Sequence, residues 1–171
     1  IITGIGEYYK NNSNSNTNII FHIVGGVGNN EMYGSKEFPG FLSIINSYQI
    51  NEHIIFHNQK FGQELDSLFN ISDFAIGSLG RHRCGITDIK TLKNREYAAR
   101  GIPFIYSEID NDFENMPYIL KAPADNSPIN IQSILDFKRN LHYSPIKIRE
   151  SIKSLSWKNQ MEKVIEQISL L

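Results

Sequence analysis

Positive charge is concentrated between positions 81 and 100, where six lysine and arginine residues face only two acids in a chain of net charge −1. Such a local excess in a near-neutral chain indicates a site for an anion. Guanidinium groups and a lysine at a helix start suit the oxygens of a diphosphate. We therefore predict that Arg83 and Lys93 contact such a ligand. The other cations of the helix are predicted to lie on its solvated face: Lys90, Arg95 and Arg100.

Small residues follow the first apolar run of the chain, in the segment Gly25-Gly26-Val27-Gly28-Asn29. Glycines allow a backbone to approach phosphate closely and to turn its N–H groups toward an anion. The dinucleotide fingerprint is only partly met, because Glu31 stands where its third glycine would be, counted from Gly26. Binding of NAD is therefore disfavoured. Gly26, Gly28 and Asn29 are candidate ligand contacts, and a structural turn is an equal alternative.

Two aspartates form an acid-x-acid pattern, Asp110-Asn111-Asp112, of a kind that can bind a divalent metal. Asx-rich loops after strands are usually turns, and we predict a turn and no metal here. Four histidines lack the spacing of metal ligands, so they are predicted to be packing residues. They are His22, His53, His57 and His142.

The segment from Glu96 to Tyr106 indicates the elements that position these residues. Glu96 opens an Ala-rich helix, Gly101 suits the left-handed residue that ends a helix, and Pro103 cannot continue one. The chain then enters an apolar strand. Glu96 is therefore expected near the ligand-facing end of a sheet.

Strands and helices alternate along the chain, which predicts an α/β, Rossmann-like fold: a parallel sheet with helices on both faces. In such sheets ligands bind beyond the carboxyl ends of the strands. The four loops that should meet at that edge are 25–30, 58–62, 78–83 and 107–112. A short strand near 117–120, a helix from Ile131 and a long helical tail from Ile146 are predicted to follow.

The bulk composition fits one layered domain over residues 1–171, with 40% apolar residues. The net charge argues against a general nucleic-acid surface. The single cysteine, Cys84, fits a reducing compartment, and no run approaches the ~18 apolar residues of a membrane span. The chain opens on an amphipathic helical pattern without a cap, as a fragment would. We expect a cytoplasmic protein.

The sequence Glu96-Tyr97-Ala98-Ala99-Arg100-Gly101-Ile102-Pro103 resembles a signature of GT-B glycosyltransferases, group 1 or family 4 type. It is similar to the Glu-Ala-x-Ala-x-Gly-x-Pro motif of their C-terminal, donor-binding domain. The resemblance implies retaining transfer of a sugar from a nucleotide-diphosphate sugar, with no metal or other cofactor. It also implies that Glu96 holds the donor ribose. The family carries a strand that ends in Gly-x-Gly at the position of Gly26 and Gly28.

The loop from Ser78 to Ile86 also resembles the family, whose loop has the form Ser-x-x-x-Glu-Gly-Phe-Gly. One alignment places His82 at the first acid of that loop, whereas simple spacing places Asp88 there. We favour the first alignment, in which Ser78 and Gly85 both match. The resemblance then implies that Ser78 binds the donor and that His82 contacts the transferred sugar. The helix start near Leu92 would face the phosphates.

Under the same resemblance, the acceptor glycan or lipid-linked glycan would bind an N-terminal domain outside this chain, and the isolated fragment would be inactive. The full-length protein would be cytoplasmic, or peripheral at the inner membrane face, and would act in polysaccharide or glycoconjugate biosynthesis. Two alternatives stay open at this point. One is a GT-B-like sugar-nucleotide epimerase, and the other is a nucleotide-binding domain without catalysis.

Overall fold

The computed structural model describes residues 1–35 and 39–169, and within them strands and helices alternate. The helices are α1 (Ile2–Asn11), α2 (Asn29–Tyr33), α3 (Phe41–Tyr48), α4 (Gly62–Asn70), α5 (Leu92–Arg100), α6 (Ile131–Asn140), α7 (Pro145–Ser151) and α8 (Trp157–Ser169). The strands are β1 (Phe21–Val24), β2 (Ile54–His57), β3 (Ala75–Ile76), β4 (Phe104–Tyr106) and β5 (Ile119–Lys121). Phe38, which the sequence pattern includes in the helix before β2, lies outside the described residues.

The strands pair in parallel, which confirms the predicted α/β fold. β1 pairs with β2, and Phe21 lies opposite Ile54. The other three strands form a second small sheet in the order β3-β4-β5, also parallel. A helix lies between each pair of successive strands from β1 to β4, as in Rossmann-like folds, whereas β4 leads to β5 through turns. The sequence predicted one sheet, and the described ladders form two.

The chain divides into two compact units. The first comprises Ile1–Ile71 and Ser127–Asp136 and holds β1 and β2. The second comprises Ser72–Asn126 and the residues from Phe137 onward, and it holds β3, β4 and β5. That residues 1–171 form a single domain stays a prediction.

In the first unit, α1 and α3 bring buried isoleucines together. Ile5 is 1% exposed and Ile45 is 3% exposed. The helices approach closely because residue 6 is glycine: a Cβ there would lie 2.3 Å from Cγ of Tyr48. The predicted amphipathic helix at the start of the chain is therefore confirmed, and its apolar face is buried.

In the second unit, the core is built from aromatic rings around β4. Phe104, Tyr106, Phe113 and Tyr118 have no exposed surface, and the rings of Phe104 and Phe113 meet edge to face at 5.3 Å. Such a well-packed aromatic cluster is a major source of stability because each ring buries a large apolar area. β4 is thus the rigid centre from which the following loop emerges.

Gly101 ends α5 as predicted. Its φ is 76°, and the N–H of the next residue, Ile102, donates to the carbonyl of Tyr97 at 2.9 Å. A Cβ on Gly101 would lie 2.6 Å from the carbonyl oxygen of Pro145. Glycine is therefore required both by the backbone conformation and by the close approach of α7.

The predicted long helical tail is wrong in one respect, since the chain after α6 forms two helices. α7 ends at Ser151, and a 3₁₀ turn at Lys153–Leu155 separates it from α8. Ser156 is extended, and its hydroxyl accepts from the N–H of Asn159 at 3.3 Å. A serine in this position caps a new helix and stops the preceding one, because its side chain replaces a missing backbone acceptor.

The histidines of the first unit make specific contacts in addition to packing. Nδ1 of His22 lies 2.9 Å from Nε2 of His57, and the two rings stack with centroids 5.2 Å apart. His53 stacks on Tyr9 at 4.0 Å and its Nδ1 lies 3.0 Å from the carbonyl oxygen of Ile19. The prediction of packing residues is confirmed for these three and is wrong for His142, which is exposed. The hydrogen bond between two imidazoles was not predicted.

This imidazole pair should make stability depend on pH. Burial lowers the pKa of His22, and the neighbouring His57 lowers it further. The unfolded chain then binds more protons, so the free energy of unfolding should decrease as pH falls below about 6.5. We expect urea denaturation at about pH 8 and about pH 5.5 to show a smaller decrease for His22→Asn than for the wild type. His142→Asn, an exposed control, should behave as the wild type does. Equal decreases in all three proteins would contradict the assignment.

Candidate functional site

The loops after β3 and β4 lie side by side in the second unit. The N–H of Ser107 donates to the carbonyl of Ser78 at 3.1 Å. Ser78 is 4% exposed, and its hydroxyl has no hydrogen-bond partner in the described part of the chain. Ser78 therefore lies at the carboxyl end of the sheet, as predicted, with an unsatisfied polar atom.

A 3₁₀ turn, Arg81–Cys84, carries the predicted basic segment. Glycines in the left-handed conformation flank it: φ is 84° at Gly80 and 69° at Gly85. These two residues allow the chain to enter and leave the turn sharply, because glycine adopts positive φ without steric cost. The turn presents the side chains of Arg81, His82 and Arg83 from a short, fixed backbone.

Glu108 holds this turn in place, and it is not among the predicted site residues. The carboxylate is 2% exposed and accepts from the N–H groups of Arg81 at 2.6 Å and His82 at 3.2 Å. The hydroxyl of Ser107 donates to it at 2.7 Å. Burial raises the pKa of Glu108, but these hydrogen bonds outweigh burial and keep the pKa below its ordinary value. The available signal in the sequence was an acid two residues after a buried strand.

His82 and Arg83 converge on one side chain, Asn126. The amide oxygen of Asn126 accepts from Nε of Arg83 at 2.7 Å and lies 3.3 Å from Nε2 of His82. Nδ1 of His82 is buried without a hydrogen-bond partner in the described residues, 3.8 Å from Oε1 of Glu108. His82 and Arg83, two of the residues predicted to contact the donor, thus lie in one cluster.

Asp88, the alternative to His82 at the first acid position, has a different environment. It forms an isolated parallel bridge with Ile109, and its exposed carboxylate accepts from the hydroxyl of Thr87 at 2.8 Å. The contacts with Asn126 and Glu108 belong to His82. The geometry therefore groups His82, rather than Asp88, with Arg83.

The N-terminus of α5 adds free N–H groups and a cation. Thr91 precedes the helix, but its hydroxyl makes no capping hydrogen bond and is buried without a partner among the described residues. Leu92 is the first helical residue, as predicted, and its side chain is 83% exposed. Any contact that Leu92 makes with an anion would therefore come from its backbone.

Lys93 and Arg81 form a pair of neighbouring cations. Burial lowers the pKa of Lys93, and the positive charge of Arg81 lowers it further. Neither residue forms an ion pair within residues 1–35 and 39–169. Two like charges and a helix N-terminus without a side-chain cap create a positive potential that an anion would relieve.

Glu96 lies farther along α5 than its sequence context predicted. It is the fifth residue of the helix rather than its opening residue. Its half-exposed carboxylate accepts from Nη2 of Arg100 at 3.1 Å. The prediction failed because the helix begins at Leu92, four residues before the Ala-rich segment. Glu96 is therefore one turn away from the free N–H groups.

Arg95 is not on a solvated face, contrary to the prediction. Its side chain is 21% exposed and donates to both carboxylate oxygens of Asp110 at 3.2 Å, and also to Asp112. Asp110 has no exposed surface and also accepts from the amide of Asn94 at 3.0 Å. This network ties α5 to the loop after β4. Sequence spacing does not reveal it, because the partners are 15 to 17 residues apart.

The segment Asp110-Asn111-Asp112 forms the predicted turn, since the N–H of Phe113 donates to the carbonyl of Asp110 at 2.8 Å. Its two carboxylates are engaged by Arg95. In the described part of the chain, no group of three or more His, Cys, Asp or Glu side chains is arranged to hold a metal ion. Likewise, none of the described helices has the length and apolar character needed to cross a membrane.

The glycine segment belongs to the first unit, where it follows β1. Gly25 has a φ of 116°, and a Cβ on Gly26 would meet no atom within 4 Å. Asn29 is the first residue of α2, whose Met32 N–H donates to the carbonyl of Gly28 at 2.9 Å. The segment therefore has open space at Gly26, and only Gly25 requires glycine for its backbone conformation.

Comparison with models of known protein families finds no match to this chain. No curated protein matches it either. Assignment of function therefore rests on the residues of the site and on the sequence resemblance described above.

Proposed function

We propose that this chain is the donor-binding domain of a retaining GT-B glycosyltransferase, which binds a nucleotide-diphosphate sugar. The support is the resemblance of the Glu96–Pro103 segment to the group 1 signature, together with an anion site of suitable chemistry in the same unit. The acceptor would be a glycan or lipid-linked glycan bound by another domain, and the reaction would take place in the cytoplasm or at the membrane surface. Transfer would belong to polysaccharide or glycoconjugate biosynthesis.

One observation carries this proposal: Nε of Arg83 and Nε2 of His82 meet at one oxygen atom, in the same unit as the uncapped N-terminus of α5. Arg83 and Lys93, which lies in the first turn of that helix, have no carboxylate partner among the described residues. A diphosphate would supply negative charge to both cations and acceptors to the free N–H groups. The buried, unpartnered hydroxyls of Ser78 and Thr91 provide further hydrogen-bonding capacity at the same loops.

The proposed chemistry needs charge stabilisation at the leaving group. As the bond between the sugar and the diphosphate breaks, the bonding electrons leave with the nucleoside diphosphate. The acceptor hydroxyl oxygen bonds to the sugar carbon, and its proton passes to the departing diphosphate. Fixed cations and N–H dipoles stabilise the developing negative charge without reorganisation. Lys93, Arg81 and Arg83 would fill this role, so no metal is required. His82, beside Arg83, would contact the transferred sugar.

Glu96 is proposed to hold the ribose hydroxyls of the donor. This role requires its carboxylate to turn from Arg100, an exchange with a small cost because partly exposed ion pairs contribute little stability. Glu96→Gln retains the shape of the side chain but removes the charge that strengthens its hydrogen bonds. The expected loss of nucleoside diphosphate binding is about 1.5–3 kcal/mol, measured by calorimetric titration.

Glu162→Gln is a matched control, because Glu162 also forms an i,i+4 pair, with Lys158 at 3.8 Å, on a helix surface. It should bind nucleoside diphosphate with the affinity of the wild type. Inorganic pyrophosphate has no ribose, so its affinity should be the same in Glu96→Gln and wild type. Unchanged binding of nucleoside diphosphate by Glu96→Gln would contradict the ribose assignment.

A further inference from the structure

His82 and Arg83 direct ring and guanidinium nitrogens at the same oxygen atom. That atom is Oδ1 of Asn126, which is 2.7 Å from Nε of Arg83 and 3.3 Å from Nε2 of His82. The shorter distance is typical of a charge-assisted hydrogen bond. One acceptor thus occupies the point where two side chains of the proposed donor site converge.

A neutral amide oxygen is a weak occupant of this point. A phosphate oxygen carries negative charge, so its bond to a guanidinium gains a Coulomb attraction between two ions that the amide oxygen does not supply. The other guanidinium nitrogens of Arg83 have no hydrogen-bond partner among the described residues, so a phosphate could also bind them in a fork. The position of Oδ1 is therefore suited to an anionic oxygen.

Release of Asn126 should cost little. The residue belongs to the segment 123–126, which lies between β5 and α6 and is exposed at each position. Moving it removes no apolar surface from the core, and water can satisfy its amide once it leaves. The chain itself therefore provides an acceptor that can be exchanged for a ligand.

We infer that Asn126 is an internal competitor: its amide occupies the subsite of one phosphate oxygen in the free protein and is displaced when a diphosphate binds. This inference rests on the proposed function and adds the atoms of one subsite, Nε of Arg83 and Nε2 of His82. It also adds a regulatory property, since any change that loosens the segment 123–126 raises affinity.

The test compares binding of inorganic pyrophosphate to the wild type, Asn126→Ala and Asn111→Ala by calorimetry. Removal of the competitor should tighten binding about threefold to tenfold, the value of one ordinary hydrogen bond. Asn111 is exposed in another loop of the same unit and has no side-chain hydrogen bond within the described residues, so its variant should match the wild type. Weaker binding in Asn126→Ala would show that Asn126 positions Arg83 for the ligand, and unchanged binding would show that its amide does not compete with the ligand. Either result would overturn the inference.

Lys93→Ala separates this inference from the function on which it rests. If pyrophosphate binds more weakly to Lys93→Ala and also to Asn126→Ala, the anion site stands and the competitor is refuted. The proposed function fails, and the inference fails with it, if pyrophosphate binds Lys93→Ala and wild type with equal affinity. Both also fail if pyrophosphate binds neither the wild type nor Asn126→Ala.

Hydrogen exchange offers a second readout that does not depend on a variant. Pyrophosphate should not slow exchange at the backbone amides of residues 124–126 in the wild type, because the side chain of Asn126 leaves His82 and Arg83 and enters water. Exchange that slows in this segment would show that the ligand recruits Asn126, which would overturn the inference.

Discussion

Arg95→Met should lower the free energy of unfolding by about 2–3 kcal/mol. The change leaves the carboxylate of Asp110, which has no exposed surface, without its cation. Removing one partner of a buried ion pair costs roughly 3–5 kcal/mol, and the lower value expected here reflects the 21% exposure of the Arg95 side chain. Urea denaturation monitored by circular dichroism measures the loss.

Two further variants make this prediction specific. Arg95→Met combined with Asp110→Asn should recover part of the loss, since the neutral amide no longer needs a cation and can still accept from Asn94. Lys138→Met breaks an exposed pair with Asp73 in the same unit and should cost less than about 1 kcal/mol. If Arg95→Met costs no more than Lys138→Met, the network does not anchor α5.

Lys93→Ala should weaken the binding of inorganic pyrophosphate by about 1–3 kcal/mol, which corresponds to roughly 5- to 150-fold in affinity. The ammonium lies beside Arg81 without an ion pair among the described residues, so its main electrostatic partner would be the ligand. Lys90→Ala is the matched control, because Lys90 is exposed three residues earlier and is predicted to be solvated.

The lowered pKa of Lys93 gives this prediction a dependence on pH. As pH rises, the ammonium loses its proton at a lower pH than an ordinary lysine, whose pKa is about 10.4. The difference in affinity between wild type and Lys93→Ala should therefore shrink at alkaline pH. A bound anion favours the charged form, so binding should also raise this pKa. If Lys93→Ala and Lys90→Ala lose equal amounts of pyrophosphate affinity, the basic cluster is an ordinary solvated surface and Lys93 does not bind the anion.

Local rules of sequence predicted the elements well where one residue decides the conformation. Gly101 ended α5 and Pro103 introduced β4, because positive φ and the absence of an N–H are properties of single residues. The parallel pairing followed from alternating strands and helices. The break before α8 was missed, although Ser156 is a typical capping residue, because the apolar pattern continued across it.

The candidate site was predictable only in part, because its contacts join residues distant in sequence. The excess of positive charge identified Arg83, Lys93 and the helix start. Glu108 lies 26 residues or more from the turn that it holds, and Asn126 lies 43 residues or more from the side chains that it contacts. No spacing rule connects either residue to the turn. Asn126 belongs to a polar loop whose composition indicates only exposure.

The most direct test of the proposed function is calorimetric titration of the chain with uridine, guanosine and adenosine diphosphates and with the matching nucleosides. Ionic strength should be fixed near about 0.1 M, because exposed cation–phosphate contacts are screened by salt. At least one diphosphate should bind, and its nucleoside should bind at least about tenfold more weakly, because Arg81, Arg83 and Lys93 act on the phosphates. Equal affinity for a diphosphate and its nucleoside, or binding of none of them, would contradict a donor site at the N-terminus of α5.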